Sequence, residues 1–396
     1  MSERPPVRTK ENFLVFGSPA LEQEEIDEVV ACLKSRWIGT GPRTAQFERD
    51  FAAYKGVPAA VALHSCTAAL HLAMVALNLK PGDEVITTPL TFCATVNAIL
   101  HAGGTPVLAD IDPVTLNIDP EKVREKITSH TRAILPVHFA GRPCDMDTLL
   151  ALATKHKLSV IEDCAHAIET LYHGRHAGTL GDFGCYSFYV TKNIITGEGG
   201  MVVAKNPDDL ARIKVLGLHG MSADAWKRFG DEGYKHYAVV EAGFKYNMMD
   251  LQAALGLHQL PRVDAYHVKR EAVWSTYDEA FSRLPAGKRL GLPAPQEPNT
   301  LHARHLYTVL VNEAESGILR DDFLMAMTRQ GIGVGVHYLS LPEHPYYQER
   351  LGWKPEQYPV AARIGRQIVS LPISARLEKQ DVADVITAVR RVLEVE

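Results

Sequence analysis

GCYSFYVTKNIITGEGG (residues 184–200) begins as an apolar strand, places Lys192 just beyond it, and closes on the glycines Gly197, Gly199 and Gly200. Glycines let backbone approach a bound group closely. A lysine held there can lose hydration, which lowers its pKa and makes the amine nucleophilic toward an aldehyde. A lone lysine is far more often a solvated surface group, so the reading depends on what surrounds it.

Outward from this stretch, residues 58–205 alternate between short apolar runs and longer amphipathic ones. That is the pattern of successive βαβ units and predicts an α/β fold with a mostly parallel central sheet. The expected strands are AAVAL (59–63), DEVITT (83–88), TPVLADI (105–111), AILPVHF (133–139), LSVIED (158–163), GCYSFY (184–189) and MVVAK (201–205). Helices are expected at 66–78, 91–101 and 145–156, the last capped by Asp145. Farther on, LQAALGLHQL (251–260) reads as a helix that Pro261 interrupts, followed by a long charged helix at about 264–283. The Pro-rich LPAPQEP (292–298) looks like a junction. Strand-like LYTVLV (306–311), helix-like RDDFLMAMTRQ (320–330) and a terminal amphipathic helix suggest a smaller α+β domain. The expected division is 1–265 for an N-terminal arm and large domain and 266–396 for the small domain, with residues 1–20 packing on the body or on a partner chain.

In open α/β sheets ligands collect at the carboxyl ends of the strands, and three such ends are polar. In HSCTAALHL (64–72), Ser65, Cys66 and Thr67 open a helix whose free amides and dipole suit a phosphate; alone, a plain helix cap is the simpler reading. LSVIEDCAH (158–166) ends in Glu162 and Asp163, with His166 three residues on. A carboxylate there suits a protonated pyridine nitrogen; a metal site with His166 lacks a third partner at recognisable spacing, and a solvated loop acid is the bland reading. Lys192 marks the third end. Phe92, in PLTFCAT (89–95), offers either a stacking face or a core aromatic. Phosphate cradle, ring-nitrogen acid and amine nucleophile thus arrive in order along one sheet.

A formal net charge of −5, with no Lys/Arg block, argues against nucleic acid as a partner. Cys32, Cys66, Cys93, Cys144, Cys164 and Cys185 are widely spaced, with no C-x-x-C pair, which suits structural thiols in a reducing compartment. The N-terminus, MSERPPVRTKENF, has no apolar signal-peptide core, and no run is long enough to span a membrane. A cytoplasmic protein without a bound metal is expected.

The strings HSCTAALHLA, PGDEVITTPLTFCATVNAI, EDCAHAIE, YSFYVTKNIITGEGGMVV, HGMSADAW and GFKYNMMDLQAALGL resemble the pyridoxal-phosphate (PLP) dependent sugar aminotransferases of the DegT/StrS type, from about residue 13 to 350. The resemblance implies the type I PLP aminotransferase fold and a homodimer with active sites shared across the interface. It makes Lys192 the residue that holds the cofactor as a Schiff base and shuttles the proton, and pairs Asp163 with the pyridine nitrogen. His166 would sit near the ring hydroxyl, where relatives often have Gln, and Phe92 would stack on the ring. Thr67, Ala68 and Ser187 would bind the phosphate, which Asn247 would reach from the other subunit. For substrate it points to Trp37 and Thr40 of WIGTGP, to Tyr189, and to His337 and Tyr338 of GIGVGVHYLSL. Many relatives carry a second His after this point; here the chain reads SLPEHPYY, with Glu343 and His344 displaced.

The activity implied is ping-pong transfer of an amino group, from an amino acid such as glutamate, to the keto group of a UDP- or dTDP-linked sugar. Sugar dehydratases of the same family carry His where Lys192 stands, and a branch with an iron–sulfur cluster needs grouped cysteines that this chain lacks. A regulatory or binding protein that keeps the fold without turnover is the reading from another class. The complete set Lys192, Asp163 and Ser187 weighs against it.

Overall fold

A computed structural model describes residues 5–222 and 237–395 of the chain. Residues 223–226 of the string HGMSADAW, and the first four residues, lie outside the described residues. Helices α1 (Gln23–Ser35) and α2 (Pro42–Lys55) precede the first strand. Then follow β1 (Val61–Leu63), α3 (Cys66–Ala76), β2 (Glu84–Thr87), α4 (Cys93–His101), β3 (Thr105–Leu108), α5 (Pro120–Lys126), β4 (Thr131–Leu135), α6 (Met146–His156) and β5 (Ser159–Asp163). The short strands β6 (Leu171–Tyr172) and β7 (Arg175–His176) lead to β8 (Phe183–Ser187), β9 (Gly200–Ala204) and α7 (Pro207–Leu216).

The main sheet has seven strands in the order β1-β9-β8-β5-β4-β2-β3. From β8 through β5, β4 and β2 to β3 every pairing is parallel, whereas β9 is antiparallel to both β8 and β1. Register brings Leu63 of β1 and Ser187 of β8 against the same residue, Gly200 of β9. One edge of the sheet therefore gathers the carboxyl ends of β1, β8 and β5 and the start of β9. The core beside it is built on α3, buried on nearly every face: Leu70, Leu72, Ala73 and Met74 pack with Val85, Ile161, Cys185 and Val202. A helix apolar all round belongs between layers rather than at a surface.

One expected strand stops well short of its predicted end, and one connection reverses direction. AILPVHF stops at Leu135, because Pro136 has no N–H to donate to the ladder; beyond it Val137 makes a single bridge with Asp163. The chain between β8 and β9 is not a crossover helix. A parallel return needs a crossover; here residues 188–199 turn back directly, so β9 runs antiparallel and the turn carries Lys192.

After residue 237, α8 (Asp250–Gln259) passes through one tight turn at Leu260–Arg262, where Pro261 sits, into α9 (Val263–Ser282). β10 (Thr300–Leu301) pairs with β6, and β11 (Tyr307–Leu310) pairs antiparallel with β12 (Ile368–Leu371). Between these two strands lie α10 (Glu313–Ser316), α11 (Arg320–Arg329), α12 (Pro345–Leu351) and α13 (Pro359–Gln367), and α14 (Lys379–Val392) closes the chain. Trp274, Tyr277, Phe281, Tyr307, Phe323, Met327, Val385 and Val389 form a second core, and Leu14 of the expected arm packs into it. Arg8 holds that arm to α14 through Asp381 at 2.5 Å and Asp384 at 2.7 Å.

Candidate active site

A cavity of about 470 Å³ opens at the edge where β1, β8 and β5 end, lined among others by Cys66, Thr67, Phe92, Thr95, Asp163, His166, Ser187, Tyr189, Lys192, His337 and Tyr338. One end of it is the start of α3. Ser65 caps that helix by accepting from the Ala68 amide at 3.1 Å, so the amides of Cys66 and Thr67, the first two of the helix, have no intrahelical partner. Gly200 lets this happen: a Cβ there would stand 2.4 Å from the Ser65 carbonyl carbon and 2.5 Å from the Cys66 nitrogen. Ala68 does not line the cavity. Its amide belongs to Ser65, and the residue is buried away from the cavity.

Strand alternation sends the neighbours Glu162 and Asp163 to opposite faces. Glu162 turns from the cavity and accepts from the amides of Gly178, Leu180 and Gly181 and from His138 Nε2 at 3.0 Å. Burial pushes its pKa up, but these donors outweigh it and hold the carboxyl below its usual range. His138, Glu162 and Cys164 lie close enough together to suggest a metal site. However, the Cys144 amide donates to His138 Nδ1, which places the proton on Nε2 toward Glu162, so both His138 nitrogens and both Glu162 oxygens already have partners. Asp163 faces the cavity, accepting from Thr95 Oγ1 at 2.9 Å and the Ala165 amide at 3.1 Å. Loss of hydration raises its pKa, against the pull of those two donors and of Lys192.

Lys192 follows a turn in which its own amide donates to the Tyr189 carbonyl at 2.8 Å. The side chain opens onto the cavity rather than bulk solvent, so it is half-buried by area yet poorly hydrated. That desolvation pushes its pKa down to about 8, although Cys66 and Asp163 act in the opposite direction.

His166 has both nitrogens engaged. The Ala140 amide donates to Nδ1 at 3.2 Å, which leaves Nε2–H to donate to the Tyr338 hydroxyl at 3.0 Å. Burial and the charge of Lys192 hold it neutral. His337 bonds Ser370 Oγ at 2.8 Å, stacks on Phe16 with ring centroids 5.4 Å apart, and is pushed down to about 4 by burial. Phe92 and Tyr189 stand at the mouth, 57% and 44% exposed.

Trp37, Thr40 and Asn247 do not line the cavity of their own chain. They bond to one another instead: Asn247 Nδ2 donates to Thr40 Oγ1 at 2.5 Å, and Trp37 Nε1 to the Thr40 carbonyl at 3.0 Å. Glu343 pairs with Arg366, and His344 stands just before α12 with no capping bond from its side chain; both lie outside the cavity. Sequence reasoning passed over Thr95, which reaches Asp163 from α4. Only its place three residues after Phe92, on the turn facing the sheet edge, hinted at it.

Residues 19–390 match the DegT/DnrJ/EryC1/StrS aminotransferase family. The spore coat polysaccharide biosynthesis protein SpsC of Bacillus subtilis (strain 168) is 46% identical over 389 residues, covering 98% of this chain and 99% of that protein. Among solved structures, Spr1654 of Streptococcus pneumoniae, assigned as a sugar aminotransferase, has a PLP form that superposes with a TM-score of 0.88 at 32% identity, covering 96% of this chain and 99% of that one. Its PMP form matches equally well, with a TM-score of 0.88. PseC of Helicobacter pylori, an aminotransferase of pseudoaminic acid biosynthesis, superposes at 0.89 with 28% identity, covering 97% of this chain and all of that one.

Proposed function

This chain belongs to the DegT/DnrJ/EryC1/StrS aminotransferase family, and on that premise we propose that it moves an amino group from glutamate to the keto group of a nucleotide-linked sugar by ping-pong transamination. The family is PLP-dependent and acts on sugars. The observation that carries the reading is the juxtaposition, at one sheet edge, of a desolvated Lys192, a buried Asp163 and the open amides of α3.

These features fit the cofactor. The cavity volume lies in the range of small-molecule sites. The gap that Gly200 leaves at the start of α3 is a phosphate cradle that a Cβ would fill, and Asp163, with two donors, keeps lone pairs for a ring N–H. Thr67, Ser187 and the α3 amides would hold the phosphate, Asp163 the ring nitrogen, Phe92 one ring face and Lys192 the carbonyl carbon. When bound, PLP supplies an electron sink for the pair released as the donor's Cα–H bond breaks. Asp163 keeps that sink strong by holding its carboxylate charge against a pyridinium N–H. Lys192 would take the donor's Cα proton on Nζ, which needs a neutral amine in the working pH range. The Tyr338 hydroxyl, whose oxygen accepts from His166, keeps its own proton to offer to the cavity.

The homodimer with shared sites is part of the proposal. The linked trio Trp37, Thr40 and Asn247, idle in its own chain, supports it, as does an apolar stripe left bare on α1: Ile26, Val30 and Leu33 are exposed one turn apart. The expected boundary near residue 265 remains our division of the chain.

The test is the visible spectrum of the purified protein before and after excess glutamate, without sugar. A cofactor band that bleaches supports cofactor, lysine linkage and donor together. A band that persists removes glutamate as donor. If none forms after reconstitution with PLP, the catalytic reading fails.

A further inference from the structure

Behind Lys192 lies a buried polar chain that the steps above do not use. Asn193 Nδ2 donates to Glu169 Oε2 at 2.8 Å and to the Ala303 carbonyl at 3.0 Å. Both partners can only accept, so the amide has one orientation and its Oδ1 faces His305, whose Nδ1–H donates across 2.8 Å. Glu169 is ion-paired with Arg270 of α9, and both are almost wholly buried. The ring of His305 stands 4.5 Å from that of His166.

These groups come from three separate segments, residues 166–169, α9 and residues 303–305, and converge on the residue after the lysine. A buried ion pair recovers little net stability once desolvation is counted, so stability alone is a weak reason for one here. The rest of the turn is tied by backbone: Phe188 donates to Gly199 and Thr196 to Phe188.

We propose that Asn193 is a positioning residue, which the clamp of Glu169, Ala303 and His305 uses to hold the Lys192 segment against the cavity, and that His305 couples this clamp to the His166 ring. The inference rests on Lys192 being the cofactor lysine. Asp163 of β5 and Cys66 of α3 act on its amine, and its charge in turn holds down the pKa values of the facing His166, His305 and His337. A segment that drifts from this setting regains hydration, and the amine returns toward ordinary lysine behaviour.

The test is competitive acetylation of Lys192 in the cofactor-free full chain across pH, read by mass spectrometry, together with the pH titration of the holoprotein's visible band. In the parent the labelling midpoint should lie near 8. Asn193→Ala should raise it by about one unit, which is about tenfold lower reactivity at neutral pH. His305→Ala should shift it the same way, and His305→Gln, which keeps an N–H donor, should restore it. Melting temperatures run alongside. A parent midpoint in Asn193→Ala, or in both His305 variants should Asn193→Ala fail to fold, overturns the inference. A parent chain that forms no band and labels Lys192 like a surface lysine overturns the parent reading instead.

Discussion

At neutral pH an amine with a pKa of about 8 is about one-tenth unprotonated, against about 0.03% at the ordinary lysine value. Protonated amines do not attack aldehydes, so the rate at which the cofactor-free chain captures PLP should climb about tenfold from pH 6 to 7 and level off above 8. Stopped-flow absorbance would show this; a profile still rising through pH 10 would mean that the cavity does not desolvate Lys192. Lys192→Ala should fold with an unchanged melting temperature and lose turnover by at least the 10²–10⁴-fold, in rough terms, of a missing proton-transfer group. Lys192 and Asp163 were legible in the sequence as residues at strand ends. Asn193 and His305 were not, because nothing in the spacing of residues 193 and 305 says that they meet.

Among the elements, the approach of β9 to the start of α3 is the tightest. Gly200→Ala forces a Cβ against backbone atoms of Ser65 and Cys66, which cannot rotate away. The expected cost is about 1–3 kcal/mol of stability, together with weaker PLP binding as the helix start is pushed off. Thermal melting and a PLP titration measure the two separately; equal affinity with a lower Tm would detach the cradle from this contact. Ser65→Ala removes only the cap, at about 1 kcal/mol. Most elements were readable from periodicity, and Asp145 caps α6 as the capping pattern demands. The return of β9 was not. A glycine-rich turn reads alike whether it leads to a crossover or a reversal, and pairing with β1 and β8 decides it.

For the whole molecule, the proposed sharing of sites between two chains predicts complementation. Lys192→Ala and Asn247→Ala should each be inactive or nearly so, yet a refolded mixture should regain up to about a quarter of parental activity: half the dimers are mixed, and each mixed dimer holds one intact site. No recovery in a mixture shown to exchange subunits would place Asn247 outside the site. By itself the sequence determined the mostly parallel sheet, because strand and helix periods are local, and the order in which acid, amine and helix start arrive at its edge. Tertiary structure decided what local pattern cannot carry: that Glu162 is spent on amides while Asp163 faces the cavity, that Ala68 is taken by its own cap, and that Glu169, Asn193, Arg270 and His305 close behind the lysine. Such contacts join residues far apart in the chain, and only the packed fold brings their donors and acceptors within reach.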